Sequence, residues 1–371
     1  MKNWNRLMVA IGLLVICGLA ISADVKPVYG FKGGVKVKPD RDVSKDDLKP
    51  IPAEGKFFSQ AWTFVYYLDD GAGGYIQFSH ARMGYALSNI LVHHSHYSAD
   101  GRLTYRKDVL SLKEMKYEES EPRLNMGKSF WSGFYPEFRV YAPLPGLETD
   151  LTFHSLTPPW RPGNGPVHYG APDGDWYDLV VPIPLARVSG TIRVDGKNTK
   201  VSGFGYCDHN TQTVWFLSQV EELYALRSFG NGWAIHFLDY HSPKAFGGKR
   251  VSWLIVIKDG EIIYATDSYK IEPSDWTAEP KRGRKYPRQA KITIDGGGMK
   301  LTGEIKTTRL LDVLDVREET PDWAEPILFR LIREPAFMRE KAEVIWTLNF
   351  EGREEIIPAQ GIFEYTIVEK E

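Results

Sequence analysis

RVSGTIRVDGKNTKVSGFGYCDHN (Arg187–Asn210) places two alternating runs on either side of a four-residue turn. Arg187–Val194 and Thr199–Tyr206 read as matched antiparallel strands. Asp195-Gly196-Lys197-Asn198 between them supplies residues that tolerate the positive φ of a tight hairpin. The second strand runs on into Asp208-His209-Asn210, three polar residues in succession. On a strand, Asp208 and Asn210 share one face and His209 takes the other. A histidine turned into an apolar interior is a candidate general acid. The plainer reading is a structural histidine tied to a backbone carbonyl.

The same grammar recurs outward from this hairpin. Ala61–Leu68 (AWTFVYYL), the turn Asp69–Gly74 (DDGAGG) and Tyr75–Ser79 (YIQFS) form another pair, and so do Val251–Lys258 and Glu261–Ala265 about Asp259-Gly260. Many short strands at such spacing predict an all-β chain of barrels or sandwiches. Composition agrees. The 371 residues are 43% hydrophobic and 13% aromatic, with 11 Trp, 19 Tyr and 18 Phe, residues that suit pleated, half-buried surfaces. That much apolar material excludes a disordered chain. Helical periodicity is confined to Pro321–Arg333, read as one short helix. Pro143–Asp175 is rich in Pro and Gly and reads as a long functional loop or a rigid crossover.

Charge and cysteine usage narrow the function classes. The balance of 46 basic to 48 acidic residues gives no electrostatic case for nucleic acid. Lys2 and Arg6 precede an apolar run, Leu7–Ala20, and small residues follow, which is the layout of a secretory signal over residues 1–23 and predicts export to the periplasm or the cell exterior; an uncleaved anchor and a lipoprotein site at Cys17 are the lesser alternatives. Loss of the signal removes two basic residues and no acidic ones, leaving 44 to 48, and takes Cys17 with it, so that Cys207 stands alone. Residues 24–50, polar and Pro/Gly-rich, read as a mobile linker. The predicted domains are 51–185 and 186–371. Lys281–Arg288 (KRGRKYPR) is the one dense basic run, either a solvated loop or a peripheral membrane contact. There is no phosphate loop, nucleophile elbow, dinucleotide fingerprint or Cys-x-x-Cys, and no cofactor is expected. In His93-His94-Ser95-His96, His94 and His96 share a strand face, but no Cys or nearby acidic partner is evident, so an edge-strand or loop cluster is expected and no metal. Tyr75, Gln77 and Ser79 are expected to line the first barrel.

VSGFGYCDHNTQT (Val201–Thr213) resembles the G-x-G-Y-x-D-H-N-W-G signature of the AttH/CrtC group of lipocalin-like proteins. That group includes carotenoid 1,2-hydratases and is related to Svf1-type ceramide-handling proteins and to fungal Diels–Alderases. Tyr169–Lys197, Gly232–Tyr240 and Gly361–Thr366 are similar to further family segments, so the likeness extends over roughly residues 55–371. It implies two packed lipocalin-like (calycin-type) antiparallel β-barrels enclosing a hydrophobic cavity. In the hydratase branch, acid chemistry is ascribed to the signature His and Trp and to a Tyr-x-Asp on the next strand. Here the His is His209 and the Asp is Asp239, while Thr211 replaces the Trp and Phe237 replaces the Tyr. Tyr206, Asp208, Asn210, Trp215, Trp233 and Phe237 are the expected ligand-lining residues. The chain is therefore expected to bind or carry a lipid or isoprenoid. Acid-catalysed hydration, cyclisation or isomerisation of a terpenoid is the first alternative, and a carbohydrate-binding sandwich with exposed Trp platforms is the second. Oligomeric state is left open.

Overall fold

A computed structural model describes residues 26–31, 34–55, 57–83, 87–296, 298–315, 334–350 and 352–369. The signal segment 1–23 and the helix expected at 321–333 lie outside the described residues. The chain divides into two compact units. The first runs through Phe216; the second takes up from Leu217 and includes residues 34–37.

The first unit contains β1 (Val28–Tyr29), β2 (Phe57–Leu68), β3 (Gly73–Met83), β4 (Leu87–Tyr97), β5 (Leu103–Leu110), β6 (Met115–Glu118), β7 (Arg123–Met126) and β8 (Ser129–Phe134). It continues with β9 (Glu137–Leu144), β10 (Leu147–Ser155), β11 (Val167–Tyr169), β12 (Asp175–Val194) and β13 (Lys197–Gln212). The second unit contains β14 (Glu222–Gly230), β15 (Trp233–His241), β16 (Arg250–Lys258), β17 (Glu261–Thr266) and β18 (Lys270–Ala278). It closes with β19 (Lys285–Gly296), β20 (Met299–Asp315), β21 (Glu334–Phe350) and β22 (Arg353–Glu369).

Every described strand pair is antiparallel, and the two units share one connectivity. In the first, the order is β5-β4-β3-β2-β13-β12-β10-β9-β8-β7-β6; in the second it is β17-β16-β15-β14-β22-β21-β20-β19-β18. Leaving aside β1 and β11, which pair with each other off this path, each is a meander whose last strand pairs with its first (β13 with β2, β22 with β14), with one unpaired joint after the fourth strand of that run (β5/β6 and β17/β18). Wrapping a sheet until its ends meet is how antiparallel structure removes its open edges. The tight turns obey the chemistry read from sequence: Asp195-Gly196 and Asp259-Gly260 both hold positive φ, 47° and 85° in one and 51° and 87° in the other.

The expected boundary at residue 185 falls inside β12. The reason is the ladder of β13 with β2, from Ser59↔Gln212 to Leu68↔Gly203. The hairpin read as the opening of the second domain is thus the closing element of the first sheet. The linker expectation also fails for residues 38–50. Ser44 caps a 3-10 turn at Lys45–Leu48, and Val43 and Leu48 are buried in the first core. The Pro/Gly-rich stretch is pinned as well. Trp160 and Val181 exchange backbone hydrogen bonds, and buried Arg161 pairs with Asp178 (2.7 Å) and Asp47 (3.6 Å).

Each unit has its own apolar interior. Trp62, Phe64, Ile76, Phe78, Trp131, Phe153 and Cys207 belong to the first; Leu226, Ile235, Phe237, Leu254, Ile292, Trp346 and Phe363 belong to the second. In β3 it is Ile76 and Phe78 that face this core, so the face of Tyr75 and Gln77 is the opposite one. The parity follows from β2, whose Trp62 and Phe64 stand opposite Phe78 and Ile76.

Candidate functional site

The signature strand is built around its glycines. A Cβ on Gly203 would lie 2.3 Å from the Tyr67 carbonyl oxygen, and one on Gly205 would lie 2.5 Å from the rings and methyls of Phe153 and Val188. The G-x-G spacing therefore lets β13 press against β2 on one side and into the core on the other.

His209 points into the first unit's interior. Its ring stacks on Trp62 at 4.4 Å and 8°, and Nδ1 donates to the Ala61 carbonyl at 3.1 Å. A carbonyl only accepts, so the neutral ring carries its proton on Nδ1 and leaves Nε2 as an acceptor, 3.5 Å from the Thr211 hydroxyl. Burial pushes the imidazole down to about 4. At neutral pH His209 is thus an uncharged ring with no proton directed at a substrate, the geometry of the plainer reading. Tyr206 and Asp208, on the other face of β13, are both buried, and Cys207 is a free thiol whose pKa burial raises. Trp215 stacks on Phe57 at 5.1 Å, in the first unit.

Asp239 lies in the second unit on β15, opposite Tyr224 of β14 and Ser252 of β16. It is fully buried. Burial alone would raise its pKa, but the His241 and Arg250 side chains outweigh that and hold it below the ordinary carboxylate range. Arg250 Nε donates to Oδ1 at 3.0 Å and its terminal nitrogen meets Oδ2. His241, two residues along the same face, stands between two carboxylates: Nε2 is 3.4 Å from Asp239 Oδ1 and Nδ1 is 3.6 Å from Glu222 Oε2. The doubly protonated ring serves both acceptors, the neutral ring one. Glu222 also accepts from Tyr224 (3.4 Å) and Tyr365 (3.3 Å). Tyr365 lies 5.1 Å from Tyr224 and 5.6 Å from the half-exposed ring of Trp276.

Glu222, Tyr224, Asp239, His241, Arg250, Trp276 and Tyr365 thus form one polar, aromatic-lined cluster. Next to it along the inner face come Leu226, Phe237, Leu254 and Phe363, all buried. Phe237, which lacks the hydroxyl that the hydratase comparison asks for, contributes apolar wall here. A hydroxyl nevertheless stands opposite Asp239, supplied by Tyr224 from the neighbouring strand. Burial, aided by Glu222, raises the Tyr224 pKa and keeps that proton on oxygen. Trp233 caps another part of this core, with the Lys258 ammonium 4.6 Å from its ring centre.

Sequence reading found Asp239 but missed His241, Glu222, Tyr224, Arg250 and Tyr365. A signal existed: Glu222/Tyr224 and Asp239/His241 are both polar i, i+2 pairs on strands, which share a face. The histidines of β4 tell a different story. His94 Nε2 and His96 Nδ1 meet the Tyr66 hydroxyl at 2.7 and 2.8 Å, and Thr149 lies 3.3 Å from His94 Nδ1. β4 lies between β3 and β5, so this is a buried network in mid-sheet, not the edge or loop cluster expected. Among the described residues no group of three or more His, Cys, Asp and Glu is placed to hold a metal ion. The basic loop is partly structural, since buried Glu279 accepts from the backbone of Lys281 and Arg282 and from Arg284.

The sequence profile of the Svf1 family matches residues 146–332. Solved structures of the same fold include a protein described as an AttH from Nitrosomonas europaea, with TM-score 0.63 and 14% identity over 89% of this chain and 98% of that one. CghA in complex with Sch210972 matches with TM-score 0.62 and 14% identity over 94% and 100% of the two chains. Kievitone hydratase from Nectria haematococca matches with TM-score 0.56 and 12% identity over 93% and 98%. No curated protein sequence matches the chain. At these identities the likeness fixes the lipocalin-like fold.

Proposed function

The chain belongs to the Svf1 family, and on that footing we propose that it binds a hydrophobic small molecule, a lipid or an isoprenoid, in its second unit. The observation that carries this reading is the pairing of a fixed polar cluster with an apolar, aromatic inner face. Glu222, Tyr224, Tyr365, Asp239, His241 and Arg250 hold one another in a polar network beside which an oxygen function of the ligand would sit, and Leu226, Phe237, Leu254 and Phe363 offer the apolar wall. Such a division, mostly apolar with a few convergent polar groups, is that of a ligand site. The CghA complex, in which the same fold holds a small molecule, supports it. The expected export of the chain belongs to this proposal, and amino-terminal sequencing of the purified protein tests it by a start near Asp24. Native mass spectrometry before and after organic extraction tests binding. The expected result is an adduct that extraction removes and that retinol or cis-parinaric acid restores. Delipidated protein that takes up neither would refute the reading.

A second reading is favoured by one specific arrangement, His241 between Glu222 and Asp239 with Tyr224 opposite. A doubly protonated imidazole can give a proton to an alkene carbon, while the two carboxylates stabilise the cation that forms. This is the chemistry of a hydratase, cyclase or isomerase on a terpenoid or carotenoid-like substrate, and kievitone hydratase shares the fold. In this reading the acid is His241, with Asp239 as an ionised counter-charge. Turnover unchanged in His241→Ala would end it.

A further inference from the structure

One inner-face group of the second unit is unused by that cluster. Glu340 of β21 is 1% exposed. The parity of β21 is set by Met338, Ala342, Val344 and Trp346, all core residues, so Glu340 faces inward with them. It pairs in register with Phe363 of β22 and Leu310 of β20. Its neighbour on the same face, Met338, pairs with Tyr365 of the polar cluster, so Glu340 is one inward-facing position further along.

Glu340 Oε2 is buried and has no hydrogen-bond partner. Inward-facing Thr307 of β20 is also buried, and its Oγ1 has no partner either. The Thr307 hydroxyl bears on the Glu340 carboxyl as its nearest side-chain donor, but at a separation that leaves Glu340 Oε2 short of a formed hydrogen bond, and a buried oxygen so placed is costly. The charged and titratable groups nearby are Arg288 and Tyr286 of β19. Arg288 is exposed and donates instead to the Thr307 carbonyl at 3.2 Å, while Tyr286 is buried in the core. Burial pushes the Glu340 carboxyl up to about 7, against the opposing pull of Thr307 and Arg288. The group can therefore donate when protonated and accept when ionised.

We propose that Glu340 and Thr307 form a second polar anchor on the inner face of this unit, one that takes an oxygen function, hydroxyl or carbonyl, on an otherwise apolar molecule. The proposal rests on the reading that the second unit binds a hydrophobic ligand, and it sharpens the ligand class to an oxygenated one. An anchor of this kind discriminates by leaving polar protein atoms unsatisfied when a pure hydrocarbon binds.

The test uses matched C15 probes, farnesol and the hydrocarbon farnesene. Equilibrium dialysis is run on delipidated full-length protein and on Glu340→Gln, Glu340→Leu and Thr307→Val, each checked for folding by its melting curve. Wild type is expected to prefer farnesol by about tenfold or more. Glu340→Leu is expected to erase that preference by weakening farnesol and leaving farnesene unchanged or tighter, and Thr307→Val to reduce it. Binding of both probes with affinities indifferent to all three variants overturns the anchor and leaves ligand binding standing. Binding of neither probe overturns both.

Discussion

Glu340 makes a quantitative demand on stability. In the unfolded chain its carboxyl titrates near its ordinary 4.5, and in the folded protein near 7. Between those values the folded state holds a proton that the unfolded state has released, so stability falls as pH rises through that window. Above pH 7 the full penalty applies. A carboxyl moved from 4.5 to about 7 costs about 3 kcal/mol at 1.36 kcal/mol per tenfold. Glu340→Gln keeps the shape and cannot ionise. Burial raises the pKa of the facing Tyr286, which keeps its proton through this window. Urea unfolding of delipidated protein, followed by tryptophan fluorescence, should show the variant near wild type at pH 5 and more stable by about 3 kcal/mol at pH 8.5. The substituted glutamine brings its own buried amide, which adds a constant offset, so the decisive quantity is the change in the difference between the two pH values. Parallel pH profiles for the two proteins would refute the argument, because they would mean that Glu340 is solvated or paired in the folded state.

Three further outcomes are expected. Arg250→Ala leaves the fully buried Asp239 carboxylate with His241 as its remaining ion partner and should destabilise by about 3–5 kcal/mol; adding Asp239→Asn should restore much of the loss, read in the same urea titration. Because Asp239 is held below its ordinary range, this pair's contribution is present above that range and fades as pH falls through the depressed value. Gly74→Ala would put a Cβ 2.4 Å from the Tyr66 hydroxyl and 2.5 Å from the Ser95 carbonyl oxygen, which should cost about 2 kcal/mol or more in thermal unfolding. Tyr66→Phe strips one partner from each of two buried imidazoles, His94 Nε2 and His96 Nδ1, and should cost about 1–3 kcal/mol; a variant as stable as wild type would mean that water already serves those nitrogens.

The fold was largely legible because hairpin chemistry is local. Asp195-Gly196 and Asp259-Gly260 announce their turns, and the strands beside them alternate visibly. The unit boundary was not legible, because it depends on the pairing of β13 with β2, a contact between distant residues that leaves no trace in either strand alone. The site was half legible. A family signature drew attention to His209, yet the stacked, carbonyl-bonded ring is held by Trp62 and Ala61, which no local pattern links to it. Asp239 was found through the same resemblance, while Glu222, Arg250 and Tyr365 of its cluster come from three other strands whose register only the folded sheet sets. Glu340 reads in sequence as an ordinary charged residue in REKAE, and nothing but the parity of β21 shows that it faces inward.

The ladder joining β2 to the last strand of the first unit also has a consequence in time. His209 bonds to Ala61 across 148 residues of chain. During synthesis β2 exists as a strand edge on the order of ten seconds before its partner emerges. Throughout that interval its unpaired face, AWTFVYYL, is an aromatic, uncharged template of the kind that recruits other chains. The signature strand, whatever its part in chemistry, is therefore also the piece that ends this exposure. Truncations that stop short of Gln212 should aggregate, and co-translational holding factors should engage the nascent chain most heavily between the emergence of β2 and that of β13.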